Sequence, residues 1–118
     1  MRRIGDTFEL RARRHLQKAG LAPVAHNYST RFGELDLVMR DGDTLVFVEV
    51  RYRRNAHFGG AAASVTSRKR ERLIRAASGF LAAHPQYADG DCRFDVVTFE
   101  GDGDKARCHW QQAAFDAF

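Results

Sequence analysis

The sequence predicts an α/β fold in which a mixed β-sheet is flanked by two helices. Two basic segments carry apolar residues at helical spacing, and a β-hairpin pattern lies between them. The resulting order is α-β-β-β-α-β with a terminal β, an arrangement that favours helices packed on a mixed sheet. With 118 residues, the chain is long enough for one core and too short for two, so residues 1–118 are expected to form a single domain.

The first helix is predicted to begin at Asp6 and to end at Gly20. Asp6 is a candidate cap, and Glu9 three residues later completes a variant of the capping box. The residues with helical spacing that form its inner face are Phe8, Ala12, Leu16 and Ala19. Glu9 borders this face, and the pattern alone leaves open whether it caps the helix or belongs to a functional site.

A weakly patterned strand at 21–31 leads into two strong strands at 35–39 and 44–50. The dipeptide Asp41-Gly42 between them is a hairpin signal. If these two residues form the loop, Asp36 lies opposite Phe47 and diagonal to Glu49, with backbones roughly 7 to 8 Å apart. A three-residue loop would instead move Asp36 to the other face of the hairpin.

Alternation along the hairpin sorts its side chains into two faces. One face is predicted to hold Glu34, Asp36, Leu45, Phe47, Glu49 and Arg51, and the other Leu35, Leu37, Val46, Val48 and Val50. Neighbouring carboxylates in such apolar strands are costly unless a metal, a basic partner or a shifted pKa relieves them. Arg51 is a candidate basic partner, and the space between Asp36 and Glu49 suits a cation.

The second helix is predicted to begin at Thr66 or Ser67 and to continue to about Ala83. Its inner face reads Leu73, Ala76, Ala77, Phe80 and Leu81. Cations crowd its first turns, where the helix dipole disfavours them, which suggests an external anion: Arg68, Lys69, Arg70 and Arg72. An ordinary solvated charged face is the alternative.

The remaining segments carry weaker signals. The Gly- and Ala-rich connection before the second helix lacks the ending of a phosphate-binding P-loop and is expected to be a mobile loop near the site. Strands are predicted at 93–100 and around 106–111, joined by a plain turn at 101–104. Asp95 alternates onto the face of Val97 and Phe99, and we interpret it as structural.

Charge is distributed unevenly along the chain. Residues 1–20 carry six Lys/Arg and two acids, and residues 51–75 carry eight against one. These basic blocks bracket the acidic hairpin, a pattern typical of proteins that bind a phosphate-rich polymer. No apolar stretch is long enough for a membrane span or a signal core, so no membrane partner and a cytoplasmic location are expected.

The hairpin motif resembles a known protein family. Gly33-Glu34-Leu35-Asp36-Leu37 followed by Val46-Phe47-Val48-Glu49-Val50-Arg51 is similar to the YraN family of the PD-(D/E)xK nuclease superfamily, which includes Holliday junction resolvases. The resemblance covers nearly the whole chain and implies a restriction-endonuclease-like core. One position departs from the superfamily pattern, because Arg51 stands where a catalytic Lys is usual.

The resemblance implies a metal-dependent nuclease acting on DNA, including branched DNA. Asp36, Glu49 and the Val50 carbonyl are then expected to bind Mg²⁺ or Mn²⁺, with a contribution from Glu9. Arg51 is expected to hold the phosphate electrostatically, since an arginine does not act as a general base. Lys69 is a candidate auxiliary cation, and the expected nucleic-acid contacts are Arg53, Arg54, Arg68, Lys69, Arg70 and Arg72.

Two other interpretations stay open. A nucleic-acid-binding module that retained the nuclease fold without catalysis explains the basic blocks equally well, although it gives no reason for the acidic trio. A structural protein centred on a pair between Arg51 and Glu49 is the third. By analogy with junction-resolving nucleases, which act as pairs on a symmetric substrate, a homodimer is also expected.

Overall fold

The computed structural model describes residues 4–54 and 65–116, with side chains from Thr7 onwards. Two helices and five strands follow one another as α1 Ile4–Lys18, β1 Ala22–Thr30, β2 Gly33–Asp41, β3 Thr44–Arg53, α2 Ser67–Ala83, β4 Cys92–Glu100 and β5 Arg107–Phe115. Short 3₁₀ helices lie at Pro85–Tyr87 and Gly103–Lys105. The predicted order of elements is confirmed. The expected mobile loop at 52–64 is wrong for Tyr52 and Arg53, which belong to β3, and its residues 55–64 lie outside the described residues.

The five strands form one mixed sheet in the order β1-β2-β3-β4-β5. Strands β1, β2 and β3 are antiparallel neighbours, β3 and β4 are parallel, and β5 returns antiparallel to β4. A parallel pair needs a long crossover, and α2 lies in the segment that supplies it. The predicted mixed α/β sheet is therefore confirmed.

The helices cover opposite faces of the sheet and create two apolar cores. On the α1 side the core contains Phe8, Ala12, Leu16, Leu37, Met39, Val46, Val48, Val97 and Phe99. On the α2 side it contains Leu35, Val38, Leu45, Phe47, Leu73, Ala76, Ala77, Phe80, Phe94 and Val96. Of the inner-face positions predicted for α2, Leu81 is only half-buried.

The N-terminal limit of α1 differs from the prediction. The helix begins at Ile4, so Asp6 lies within it rather than at its cap, and the predicted capping box with Glu9 is wrong. A capping residue needs non-helical backbone, which Asp6 does not have. Ala19 lies beyond the helix and is exposed, so it does not belong to the inner face. Gly20, with φ of +102°, follows the helix end as expected.

The cap of α2 matches the prediction. The Thr66 side chain accepts a hydrogen bond from the Lys69 backbone N–H at 3.2 Å, which fixes the start of the helix.

Among the described residues, neither helix is both long and apolar enough to cross a membrane.

The β2–β3 turn is shifted by one residue from the predicted loop. Asp41 pairs with Thr44, so the two loop residues are Gly42 and Asp43. Gly42 adopts φ of +60° at the first loop position, where a type II′ turn requires glycine. The shift moves the register by two residues, which preserves the predicted faces. Continuing this register places Asp36 opposite Glu49 rather than diagonal to it.

Alternation fails at one position of β2. Leu35 packs in the α2-side core while Leu37 packs in the α1-side core, although residues two apart on a regular strand share a face. The prediction that Leu35 shares a face with Leu37 is therefore wrong. The ladder between β2 and β3 ends at the pair Leu37–Val48. The change of face therefore falls immediately beyond the end of that ladder.

Candidate active site

Asp36 lies where β2 separates from β3. Its Oδ2 atom accepts a hydrogen bond of 2.9 Å from the Val50 backbone N–H. The carboxylate thus accepts the hydrogen bond of a β3 backbone N–H beyond the end of the β2–β3 ladder. This bond holds it between the two strands. In this contact Val50 takes part through its backbone N–H group. The role of its carbonyl as a metal ligand stays a prediction.

Glu49 is a buried carboxylate on β3, with 4% of its surface exposed. Its Oε1 atom lies 3.6 Å from an Arg51 guanidinium nitrogen and 3.5 Å from Lys69 Nζ. Its Oε2 atom is buried and accepts no hydrogen bond from the described residues. A buried carboxylate oxygen without a donor is destabilising unless a cation or a proton occupies it.

The environment disfavours negative charge on both carboxyl groups. Burial raises the pKa of Glu49 to about 7, and the neighbouring Asp36 adds to the rise, while Lys69 and Arg51 oppose it. Burial also raises the pKa of Asp36, against the lowering effects of the Val50 N–H and Lys69. Two carboxylates therefore share a space in which their nearby cations do not fully offset desolvation.

A second group of acids meets at Asp36. Carboxylate oxygens of Glu9, Glu34 and Asp36 lie within 4.8 Å of one another. With the Asn27 amide nitrogen turned towards these groups, it donates to Glu34 Oε1 at 3.1 Å and to Glu9 Oε2 at 2.7 Å. The structure thus brings Glu9 of α1 to Glu34 and Asp36, as the family resemblance implied.

Sequence reasoning gave no role to Glu34 or Asn27. Alternation predicts Glu34 on the face of Asp36, and this shared face is the signal in the sequence for its role. Asn27 has φ of +49° inside β1, and asparagine is both depleted from strands and tolerant of this backbone region. An asparagine within a strand was therefore a usable sign of a special position.

The predicted basic residues divide into four groups. Lys69 and Arg51 lie at Glu49, whereas Arg68, Arg70 and Arg72 are exposed on the first turns of α2. Arg54 is turned towards the β4–β5 connection, where its Nε lies 3.2 Å from Asp102. Arg53 is exposed at the end of β3.

The donor set fits a hard divalent cation. All the acidic groups are carboxylates, which are the oxygen ligands that Mg²⁺ and Mn²⁺ prefer. The buried Oε2 atom of Glu49 lacks a hydrogen-bond donor among the described residues, and Asp36 belongs to both acidic groups. These residues can therefore hold a cation at the oxygen of Glu49 that Lys69 and Arg51 do not contact.

Comparison with known proteins identifies the family. A family model described as "Uncharacterised protein family UPF0102" matches residues 8–99, a span that includes every acid of the site. The chain belongs to the UPF0102 family. A UPF0102 protein of Xanthomonas campestris pv. campestris (strain B100) is 59% identical over 111 residues, covering 94% of this chain and 89% of the relative.

Other UPF0102 relatives are matched over nearly their whole length. The protein of Serratia proteamaculans (strain 568) is 52% identical, with 98% of this chain and 97% of the relative covered. That of Pseudomonas fluorescens is 50% identical, with 96% and 93% covered. The resemblance found from the hairpin motif is confirmed at the level of this family.

Proposed function

We propose that this protein is a metal-dependent nuclease of the PD-(D/E)xK type that binds DNA, including branched DNA, and hydrolyses its phosphodiester bonds. The observation that carries the proposal is Glu49, a buried carboxylate beside Asp36 with one oxygen that has no donor among the described residues. A fold stabilised only by packing gains nothing from such a pair. The pair is understandable if its function is to hold a cation.

Asp36, Glu49 and Glu9 are the proposed metal-binding residues, and Glu34 extends the set. The Val50 carbonyl completes it as predicted from the family resemblance. A bound Mg²⁺ or Mn²⁺ supplies activation of water and neutralisation of charge on the phosphate. The Val50 N–H orients Asp36, and Asn27 holds Glu9 and Glu34 together.

Lys69 and Arg51 are the proposed electrostatic groups. Each is about one-third exposed and faces the same Glu49 oxygen, so each can reach an approaching phosphate without leaving the site. The guanidinium of Arg51 can hold charge but does not act as a general base, whereas the Lys69 ammonium provides a compact charge with rotatable donors. Lys69 thus offers the lysine that is missing from the position of Arg51.

The exposed arginines on α2 form the proposed entry surface for DNA. The first turns of α2 carry Lys69 together with Arg68, Arg70 and Arg72. Phosphates that contact these arginines therefore lie near the acids. The Arg70 guanidinium lies 5.4 Å from the Phe115 ring, which positions it. A homodimer acting on a symmetric junction is part of the proposal and is tested by light scattering with and without DNA.

The test incubates the purified protein with duplex, flap, single-stranded and four-way junction DNA in Mg²⁺, Mn²⁺ or EDTA. We expect cleavage that requires a divalent ion and is abolished in Asp36→Asn and Glu49→Gln. Mn²⁺ binding, measured by titration calorimetry without DNA, should weaken in the same two variants. Asp43→Asn removes an equal charge from the exposed hairpin turn and is the matched control.

The outcomes separate the nuclease from its rivals. A wild type that binds DNA but neither binds Mn²⁺ nor cleaves any substrate would support the binding module without catalysis. Loss of cleavage in Asp43→Asn to the same degree would show that the effect is not specific to the site.

A further inference from the structure

The turn between β1 and β2 carries an exposed aromatic side chain. Phe32 is 37% exposed, and it is the one exposed large hydrophobic residue among residues 7–54 and 65–116. A single exposed apolar residue is ordinary on a protein surface. Whether Phe32 has a function therefore depends on the residues around it.

Two arginines from different elements lie against the Phe32 ring. The guanidinium carbon of Arg31, in the same turn, is 5.0 Å from the ring centroid, and that of Arg75 on α2 is 5.7 Å away. Both distances are within the range of a cation–π interaction. The ring is thus an apolar plane bordered by two guanidinium groups, of which that of Arg75 also pairs with Glu71 Oε1 at 3.0 Å. An aromatic plane beside guanidinium groups matches a nucleotide with its flat base and anionic phosphate.

The β1–β2 turn at residues 30–33, here called the tip, presents Phe32 and is held by its own hydrogen bonds. Thr30 Oγ1 accepts from the Phe32 N–H at 3.1 Å and donates to the Gly33 carbonyl at 2.8 Å. Gly33 has φ of +146°, a region that favours glycine. The Thr30 methyl lies 3.8 Å from where a side chain on Gly79 of α2 would begin, so the tip also packs on the helix. A tip ordered before binding loses little entropy on binding.

The tip is next to the acidic site. Glu34 is two residues beyond Phe32, and two residues of extended chain span at most about 7 Å. Glu34 itself reaches the carboxylates of Glu9 and Asp36. The Phe32 backbone thus adjoins that of Glu34, so a nucleotide on the Phe32 ring approaches the acids from the β1–β2 turn.

We infer that Phe32 stacks on an unpaired base, while Arg31 and Arg75 contact the phosphates that flank it. The inference rests on the proposed nuclease function and defines its substrate as a strand with unpaired bases beside the site rather than uninterrupted duplex. An arginine that leaves the ring when the base arrives gains a phosphate as its new partner. Aromatic stacking is tolerant of sequence, so the preference is for strand structure and not for a base.

The test uses 2-aminopurine, a base whose fluorescence falls on stacking, placed in turn at each unpaired position of a flap DNA. A blunt duplex carrying the same base is the paired control. Binding is measured in EDTA, so cleavage is not required. Phe32→Leu removes the aromatic plane while keeping an apolar side chain, and Phe32→Tyr keeps the plane.

We expect the wild type and Phe32→Tyr to quench at one or two unpaired positions. Phe32→Leu should lose that quenching and bind the flap about tenfold more weakly. Its affinity for the blunt duplex should change by less than about twofold. Unchanged quenching in Phe32→Leu, or an equal fall in affinity for both DNAs, would overturn the inference.

Cleavage in Mn²⁺ separates this inference from the nuclease proposal. Quenching that depends on Phe32, in a protein that cleaves none of the DNAs, would support the stacking site and contradict the nuclease proposal. If the ratio of flap to duplex cleavage is the same in the wild type and in Phe32→Leu, the nuclease proposal is supported and the stacking site is contradicted.

Discussion

Lys69 Nζ lies 3.5 Å from Glu49 Oε1, so the first turn of α2 is joined to the middle of the β-sheet. The backbone N–H of the same lysine donates to Thr66 Oγ1. Lys69 is therefore held at both its backbone and its side chain. Since Arg51 contacts the same Glu49 oxygen, two cations converge on one buried carboxylate.

The raised pKa of Glu49 predicts that stability falls as pH rises. The folded-state pKa of about 7 exceeds the ordinary glutamate pKa of 4.5, so the folded protein binds this proton more tightly than the unfolded chain does. The free energy of unfolding should therefore decrease between about pH 4.5 and 7, by roughly 3 kcal/mol from this group. Urea denaturation in EDTA at pH 5 and pH 8 measures the change.

Glu49→Gln is the control for this pH dependence. It should match the wild type at pH 5 and be the more stable protein at pH 8, because the disfavoured charge is gone. A fall in the free energy of unfolding of roughly 3 to 5 kcal/mol at pH 8 would instead identify Glu49 as a structural partner of Arg51 and Lys69.

Replacing Lys69 should affect chemistry more than binding. Lys69→Met removes a charge directed at the site, and we expect kcat for DNA cleavage to fall by about 100-fold. Affinity for DNA in EDTA should change little, because the exposed arginines remain. Single-turnover cleavage and fluorescence anisotropy measure the two effects, and an equal fall in both would make Lys69 only a binding residue.

Arg51→Lys tests whether the departure from the superfamily pattern limits activity. With Lys69 already at Glu49, a purely electrostatic role for Arg51 predicts little change in the cleavage rate. A large gain would mean that the chemistry requires a lysine on β3 itself. The comparison should be made in the wild-type and Lys69→Met backgrounds, where a rescue in the latter would show that the two positions share one role.

The exposed arginines of α2 should determine the salt dependence of DNA binding. Changing Arg68, Arg70 and Arg72 together to Gln should weaken binding to duplex DNA. The slope of log K against log salt should become shallower by about 0.9 for each phosphate that the variant no longer neutralises. Lys69 is kept, because its pair with Glu49 places it in the site.

The control for this salt dependence is an equal charge change at Arg40, Lys105 and Arg107, which are all exposed elsewhere on the protein. Its slope should stay close to that of the wild type, because these residues lie outside the proposed entry surface. Equal flattening of the slope in both triple variants would mean that only the net charge matters.

Asp95 should be essential for folding, in agreement with its interpretation as structural. Its fully buried side chain accepts hydrogen bonds from Arg93 at 3.0 Å, Trp110 at 2.9 Å and the Ala113 N–H at 3.0 Å. Asp95→Ala removes the acceptor of Trp110, of the Ala113 N–H and of the Arg93 Nε, although Arg93 keeps its pair with Asp41, and we expect the free energy of unfolding to fall by roughly 3 to 5 kcal/mol. Asp102→Ala, which breaks an exposed ion pair with Arg54, should change it by less than about 1 kcal/mol, and urea denaturation measures both.

Local patterns in the sequence were sufficient for the order of the elements and for the faces of the hairpin residues other than Leu35. Alternation placed Asp36 with Glu49 and Arg51, and this survived the shift of the turn to Gly42 and Asp43 because the register moved by two residues. The cap at Thr66 was also predictable, since a cap involves neighbours only three residues apart. Such signals are short-range and depend on few residues.

Tertiary structure decided how the site is assembled. The meeting of Glu9 with Glu34 through Asn27 and the contact of Lys69 with Glu49 each join elements distant in sequence. Periodicity shows which face of an element is apolar but not which residue of another element its polar edge will meet. The meeting of these side chains is set by the packing of α1 and α2 on opposite faces of one sheet, and only the folded chain determines it.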